Sequence, residues 1–189
     1  MRHAHSMDSV EWYTPAPVVD RARASLGGRI ILDPCSCELA QSVVRAEGYC
    51  DTDGLTALRR CARGDTVFAN PPSPPLPWLV ECVLAWQRGA RLVYLAYSIQ
   101  QIQQAANWGR LSLVGAQLVI PYARIAYDAD AERLRAGYAA RGAKVPRRIA
   151  EAPAGTRVRG TQPPHASALI LLGADPDPWR DFGAIATIV

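Results

Sequence analysis

Apolar positions in this chain fall into short blocks separated by proline, glycine and acidic turns, and the blocks differ in their period. Arg29 to Asp33, with Ile30-Ile31-Leu32 at its centre, is apolar without alternation, as is Thr66 to Ala69, and Arg91 to Tyr97 is the clearest such run. Short continuous apolar runs predict strands covered on both faces, the kind that fill parallel sheets. Between them the period changes. Leu79, Cys82, Val83 and Trp86 repeat at helical spacing, which predicts a helix over Trp78 to Arg88 that Gly89 ends. A helix is also predicted from about Pro17 to Leu26, with Thr14 as a cap and Gly27-Gly28 as its stop, and another over Cys37 to Ala46.

The connecting segments carry their own signals. Gly48-Tyr49-Cys50 reads as a second short strand and Asp51-Thr52-Asp53-Gly54 as a turn. The loop Pro71 to Pro77 has too many prolines for a helix or a ladder. A polar helix follows from about Gln100 to Trp108, then extended segments near Leu111 to Ile120 and Ala123 to Tyr127. Asp128 to Pro164 is the least ordered by pattern, and Ala166 to Leu172 closes the sheet as a final strand. Strands alternating with helices predict an α/β protein with a mostly parallel sheet, whose ligands bind at the carboxyl ends of the strands. Asp33, the Asp51/Asp53 turn, Asn70 and Ser98 would then meet at one crevice.

Composition narrows the class. A chain of 189 residues, 49% hydrophobic and 20% charged, suits a single domain over 1–189. It has no run of about 18 apolar residues, and Met1-Arg2-His3-Ala4-His5 lacks the apolar stretch of a signal peptide, so a soluble cytoplasmic protein is expected. Five cysteines, Cys35, Cys37, Cys50, Cys61 and Cys82, are an odd number without an export signal, which predicts reduced thiols. Cys35, Cys37, Cys50 and Cys61 could form a zinc set only with an unusually tight first pair, so no metal is expected.

The net charge is +4, and Asp128 to Gly160 alone holds eight basic residues (Arg133, Arg135, Arg141, Lys144, Arg147, Arg148, Arg157, Arg159) against four acidic ones. This basic segment, about 128–160, suits either contact with a phosphate backbone or a plain solvated face.

The strongest chemical signal is Asn70-Pro71-Pro72-Ser73, placed directly after an apolar strand. Alone it reads equally well as a strand-ending turn. As chemistry, the Asn70 side-chain oxygen and the Pro71 carbonyl are two acceptors, held by prolines that fix φ, and together they can take both hydrogens of an exocyclic base amine. Four motifs in order, Glu11-Trp12-Tyr13-Thr14-Pro15, Leu32-Asp33-Pro34-Cys35-Ser36, Asp53-Gly54-Leu55 and Phe68-Ala69-Asn70-Pro71-Pro72, resemble those of the phage-type DNA N6-adenine methyltransferases, the Dam-like family. The resemblance covers about Glu11 to Trp86, and more weakly Pro164 to Gly173.

That resemblance implies a Rossmann-like S-adenosylmethionine-dependent methyltransferase fold with a closing antiparallel strand, acting on double-stranded DNA in a bacterial or phage-infected cell. It implies catalytic roles for Asn70, Pro71, Pro72 and Ser73. Thr14 and Pro15 would help hold the methionine part of S-adenosylmethionine, and Asp33, Pro34 and Cys35 would wrap the same part. Asp53, or Asp51, would accept from its ribose hydroxyls or adenine amine. The readings of Asp33 as a helix cap and of Asp51 as an ordinary turn residue stand beside these. Ser73 departs from the family, which has a base-stacking aromatic there, and Trp78 and Tyr97 are the replacement candidates, each also readable as core or rim. Ser98 and Gln100 read as helix-start residues and His165 as a turn residue. Cytosine N4 methylation, or a decayed DNA-binding protein on the same fold, are the competing functions.

Overall fold

Ala168–Leu172, buried at all five positions, lies inside a seven-stranded sheet and divides its side chains between two hydrophobic layers. Ala168, Ile170 and Leu172 face one layer with Leu92, Tyr94 and Ala96, while Leu169 and Leu171 face the other with Val93 and Leu95. This period of two follows from the pleat, and an all-apolar run is what a strand covered on both faces needs. The computed structural model describes residues 12–100, 102–103, 112–160 and 166–189.

The elements in order are α1 (Ala16–Ser25), β1 (Leu32–Asp33), α2 (Glu38–Val44), β2 (Gly48–Tyr49), α3 (Gly54–Arg60), β3 (Thr66–Ala69), α4 (Leu76–Gln87) and β4 (Arg91–Ala96). There follow β5 (Gln117–Pro121), β6 (Asp128–Asp130), α5 (Ala131–Ala140), α6 (Arg147–Ala150), β7 (Arg157–Arg159), β8 (Ala168–Leu172), a 3-10 turn at Asp177–Trp179 and β9 (Gly183–Thr187). Sheet order is β2-β1-β3-β4-β8-β5-β9. The pairs β2/β1, β1/β3 and β3/β4 are parallel; β4/β8, β8/β5 and β5/β9 are antiparallel. Five strands therefore run one way and two the other, a mixed α/β arrangement compatible with a Rossmann-like fold. The expected closing antiparallel strand is β8, but it sits inside the sheet, and the edge belongs to β9.

Several elements differ from the sequence expectation for local reasons. The helix α1 starts at Ala16 with Pro15 at its cap position and no side-chain cap bond, so Thr14 does not cap it. The turn at 51–54 opens the short helix α3, whose seven residues are too few for a periodic signal. The helix α4 begins inside the proline loop. Pro77 is tolerated there because the first turn of a helix has N–H groups without intrahelical partners anyway. Ala123 to Tyr127 is not a strand; Asp128–Asp130 is. Of the expected helix over 100–108, Gln100, Ile102 and Gln103 are helical, and the other positions at 101 and 104–108 lie outside the described residues, as do Glu11 and His165.

Within the segment read as least ordered, residues 128–160 form a small arm. Its antiparallel ribbon β6/β7 carries α5 and α6 over a separate cluster of Ala129, Leu134 and Ile149, with Trp12, Tyr138, Val145 and Val158 packed against it. Asp130 caps α5 by accepting from the N–H groups of Glu132 at 2.9 Å and Arg133 at 3.0 Å. Arg135 ties the two helices together, donating to the carbonyls of Ile149 and Ala152 at 2.8 Å each.

Gly54, at the start of α3, is where three elements approach most closely. A Cβ there would stand 1.7 Å from the Pro34 carbonyl oxygen and 3.0 Å from the Trp78 ring. Gly54→Ala is accordingly expected to lower stability by about 1–3 kcal/mol, the scale of overpacking, in urea denaturation of the purified protein. An unchanged midpoint would show that the turn after β1 can give way.

Candidate active site

Because β2, β1, β3 and β4 are parallel, the residues that follow Tyr49, Asp33, Ala69 and Ala96 come off one edge of the sheet. Backbone bonds stitch the first two loops together: Cys50 donates to the Asp33 carbonyl at 3.0 Å and Ser36 to the Cys50 carbonyl at 2.9 Å. The third loop lies beside them, with Cys35 packed against the core cluster that contains Ala69 at the end of β3. Burial, and the nearby Asp33 charge, push the Cys35 thiol well above its ordinary range, so it stays protonated rather than acting as a nucleophile. All five cysteines are free thiols, and among the described residues no three His, Cys, Asp or Glu side chains group together to hold a metal ion.

Asn70 follows β3 and is half-buried. Its Nδ2 donates to the Trp12 carbonyl at 3.0 Å, whereas its buried Oδ1 has no hydrogen-bond partner. The orientation is forced, because a carbonyl can only accept and so draws the NH2 group toward itself. A buried acceptor left unpaired costs about 1–3 kcal/mol. Asn70 Oδ1 therefore keeps its accepting capacity unused. The following loop is pinned from below: the buried Tyr94 of β4 donates its hydroxyl to the Pro75 carbonyl at 3.1 Å, and the same carbonyl accepts from the N–H groups of Trp78 and Leu79 as α4 begins. Pro71 is buried and Pro72 half-buried, while Ser73 is exposed.

The remaining candidates separate into free and committed groups. The Thr14 hydroxyl is buried and, like the Asn70 oxygen, has no partner; Pro15 beside it is half-buried. Asp51 and Asp53 are exposed, Asp51 accepting from the Thr52 hydroxyl at 3.4 Å and Asp53 in the left-handed region at φ 55° as α3 begins. Asp33 is committed. It is 2% exposed, one oxygen accepts from the Cys35 N–H at 3.3 Å, and the other accepts from Gln41 Nε2 at 2.9 Å. It caps no helix, since Cys37 holds the cap position of α2. Gln41 cannot turn its amide around, because its oxygen accepts from the Ala46 N–H at 2.9 Å. Both Asp33 oxygens thus brace the Pro34-Cys35 turn.

Neither stacking candidate is a free ring. Trp78 is 8% exposed, packed in the core under α4 and against Gly54, so it is a core residue and cannot slide onto a base without leaving that core. Tyr97 is half-buried just past β4, its ring 6.3 Å from that of Tyr127 and tilted by 46°. Of the two, only Tyr97 stands at the edge with Asn70. Ser98 beside it is half-buried, and Gln100 is exposed on the helical turn that follows.

Two groups that matter here escaped the sequence reading. One is the Trp12 carbonyl that aims Asn70. The other is Arg157, which was counted among the basic residues of the arm but is buried, its side chain 8% exposed. Its Nη2 donates to the Thr14 carbonyl at 2.6 Å and to Asp128 Oδ2 at 3.1 Å, and its Nη1 to the Ala40 carbonyl at 3.4 Å. Residue type alone does not reveal burial, and no short-range signal marks this arginine.

Burial raises the Asp33 carboxyl from an ordinary 3.8 to about 6, against the opposing pull of its hydrogen bonds. The folded state thus binds a proton that the unfolded state has released. The stabilisation this brings is fully present below about pH 4 and is lost as pH rises through about 6. Urea denaturation of the protein and of Asp33→Ala between about pH 4 and pH 7 should show wild-type stability falling with rising pH relative to the variant. Parallel curves would mean that Asp33 is ionised throughout. Comparison of the chain with protein-family models, with characterised proteins and with solved structures returned no match.

Proposed function

We propose that this chain is an S-adenosylmethionine-dependent DNA methyltransferase acting on the N6 amine of adenine. The observation that carries the reading is the unpaired, buried Asn70 Oδ1 at the carboxyl end of β3. An exocyclic amine is a poor nucleophile because its lone pair is delocalised into the ring. Asn70 Oδ1 accepts one amine hydrogen and the Pro71 carbonyl the other, which draws the nitrogen toward a tetrahedral shape and frees the lone pair. Catalysis of this kind rests on positioning and electrostatics; as the new nitrogen–methyl bond forms, the carbon–sulfur bond breaks toward the departing thioether and the surplus amine proton passes to water. A base in a duplex must be flipped out to reach Asn70, and Tyr97 is the ring best placed to receive it.

S-adenosylmethionine supplies an electrophilic methyl group on a sulfonium. The residues present fit such a cofactor in two places. The unpartnered Thr14 hydroxyl can bond its methionine end, with Pro15 beside it, and the exposed Asp51 and Asp53 carboxylates can accept from its ribose hydroxyls. Asp33, Pro34 and Cys35 offer no unpaired side-chain oxygen, and would shape the turn rather than bond the ligand.

For double-stranded DNA the arm offers the surface. Arg157 is buried, whereas Arg141, Lys144, Arg147 and Arg148 are exposed in an eight-residue stretch, 141–148, that holds no acidic residue. Arg147 also pairs with Glu151 at 2.7 Å, which costs a surface cation little of its reach toward a phosphate. Among the described residues no helix is long and apolar enough to cross a membrane.

One observation favours a second reading, a DNA-binding protein with a decayed site: Ser73 is an exposed serine and Trp78 is locked in the core, so no aromatic stands in the family's stacking position. Mass spectrometry of nucleosides from DNA treated with the protein and S-adenosylmethionine separates the possibilities. N6-methyladenine is expected, falling by about 10²- to 10³-fold in Asn70→Ala, the scale for one preorganised polar contact. N4-methylcytosine would change the base. DNA binding with no methylated base and no cofactor binding would replace the proposal by the second reading. In a salt titration of DNA binding, Arg141→Gln with Lys144→Gln should lower the slope of log K against log salt by about 2. An unchanged slope would remove 141–148 from the DNA surface.

A further inference from the structure

Asn70, Thr14 and the arm, the first two each with a buried unpaired oxygen, meet on one short piece of chain, Trp12-Tyr13-Thr14. On its inner side the Trp12 carbonyl holds the Asn70 amide at 3.0 Å, and the Tyr13 hydroxyl receives the Cys37 thiol at 3.9 Å. On its outer side the arm grips it. Tyr13 and Asp128 exchange both backbone bonds, at 2.7 Å and 2.9 Å, and the Trp12 ring packs into the arm's own hydrophobic cluster and against Gly160. Arg157 closes the grip. Its guanidinium lies 5.3 Å over the Tyr13 ring while binding the Thr14 carbonyl and Asp128.

We infer that Arg157 is a positioning residue: acting from the arm through the Trp12-Tyr13-Thr14 strap, it sets the side-chain orientation that makes Asn70 an acceptor. This rests on the role of Asn70 proposed above. The chemistry is that of an amide with two unlike ends. When the Trp12 carbonyl is in place, the Asn70 NH2 must face it and Oδ1 must face away. If the strap loosens, the amide can turn over and present two donors to a substrate amine that is itself a donor, which repels the group the site is meant to hold. Arginine suits the task because a planar fork can bind Thr14, Asp128 and Ala40 at once, whereas a lysine has a single nitrogen. The arm that offers cations to a phosphate backbone is thus mechanically continuous with the acceptor.

The test uses the side-chain NH2 resonances of Asn70 in the 15N-labelled full chain, identified by their loss in Asn70→Asp. In wild type these protons are hydrogen-bonded to Trp12 and exchange slowly. In Arg157→Lys and Arg157→Met their exchange should rise by at least about fivefold, the factor equivalent to about 1 kcal/mol for one hydrogen bond, with Lys the smaller change. The backbone amides of Val93 and Leu169, inside the sheet, should keep their wild-type rates. Gly160→Ala approaches the strap from another side without touching Arg157, since the new Cβ would meet the Trp12 ring, and it should give the same signature. The inference is overturned if the Asn70 protons keep their wild-type exchange in Arg157→Lys and Gly160→Ala. It is equally overturned if Val93 and Leu169 accelerate in step with them, which would make Arg157 a general stability element. The readout does not involve methyl transfer. An inactive wild type would remove the proposed function alone, and a flat exchange signal in an active enzyme would remove this inference alone.

Discussion

The antiparallel entry of β8 between β4 and β5 governs the rest of the molecule. Every side chain of β8 is buried, alternating between two hydrophobic layers, so the sheet needs helices on one face and α1 with the Trp179 turn on the other. Once both faces are covered, no broad surface of the sheet is left to carry chemistry. What remains is the edge where the parallel strands β1, β2, β3 and β4 release their loops. The short β1 and β2 contribute little apolar burial themselves. They are held through β3, whose four residues are fully enclosed.

At that edge the protein sustains two opposed conditions. Around Asp33 every polar group is satisfied: both carboxylate oxygens accept bonds, Gln41 is locked by Ala46, and the cost of burial appears as a raised carboxyl pKa rather than as a missing partner. A short distance along the edge, Asn70 and Thr14 keep buried oxygens unpaired. A rigid, completed turn next to incomplete acceptors is what a site needs if its geometry is to exist before a ligand arrives. The stability forgone at Asn70 is small beside the burial of β3, β4 and β8, which is why such a defect can persist.

What could be read from sequence depended on how local its cause is. Thr66–Ala69 was legible to the residue, because a strand enclosed on both faces must be apolar throughout, and Asn70 was legible because a polar residue and two prolines end that run abruptly. The seven-residue α3 was too short to show a period, and the arm was obscured because its core is only three buried residues in a charged stretch. For Trp78 the core reading and the stacking reading stood side by side in the sequence. Its place four residues before Cys82 on the apolar stripe of α4 was the better guide to its burial. The Trp12 carbonyl and Arg157 were out of reach altogether, since their bonds span 58 and 143 residues of sequence.

Those long spans also set an order of events during synthesis. The Trp12-Tyr13-Thr14 strap is among the earliest parts of the described chain to be made, yet Asp128 and Arg157, which hold it, come more than a hundred residues later, and β8 later still. Chains are made from the amino terminus at about 5–20 residues per second, so the segment that aims Asn70 waits several seconds for its anchor. Trp12 and Asn70 are both made within that interval, so the bond between them joins parts of the chain that precede the arm. Residues 12–14 thus belong to the crevice through contacts with parts of the chain that are made at very different times.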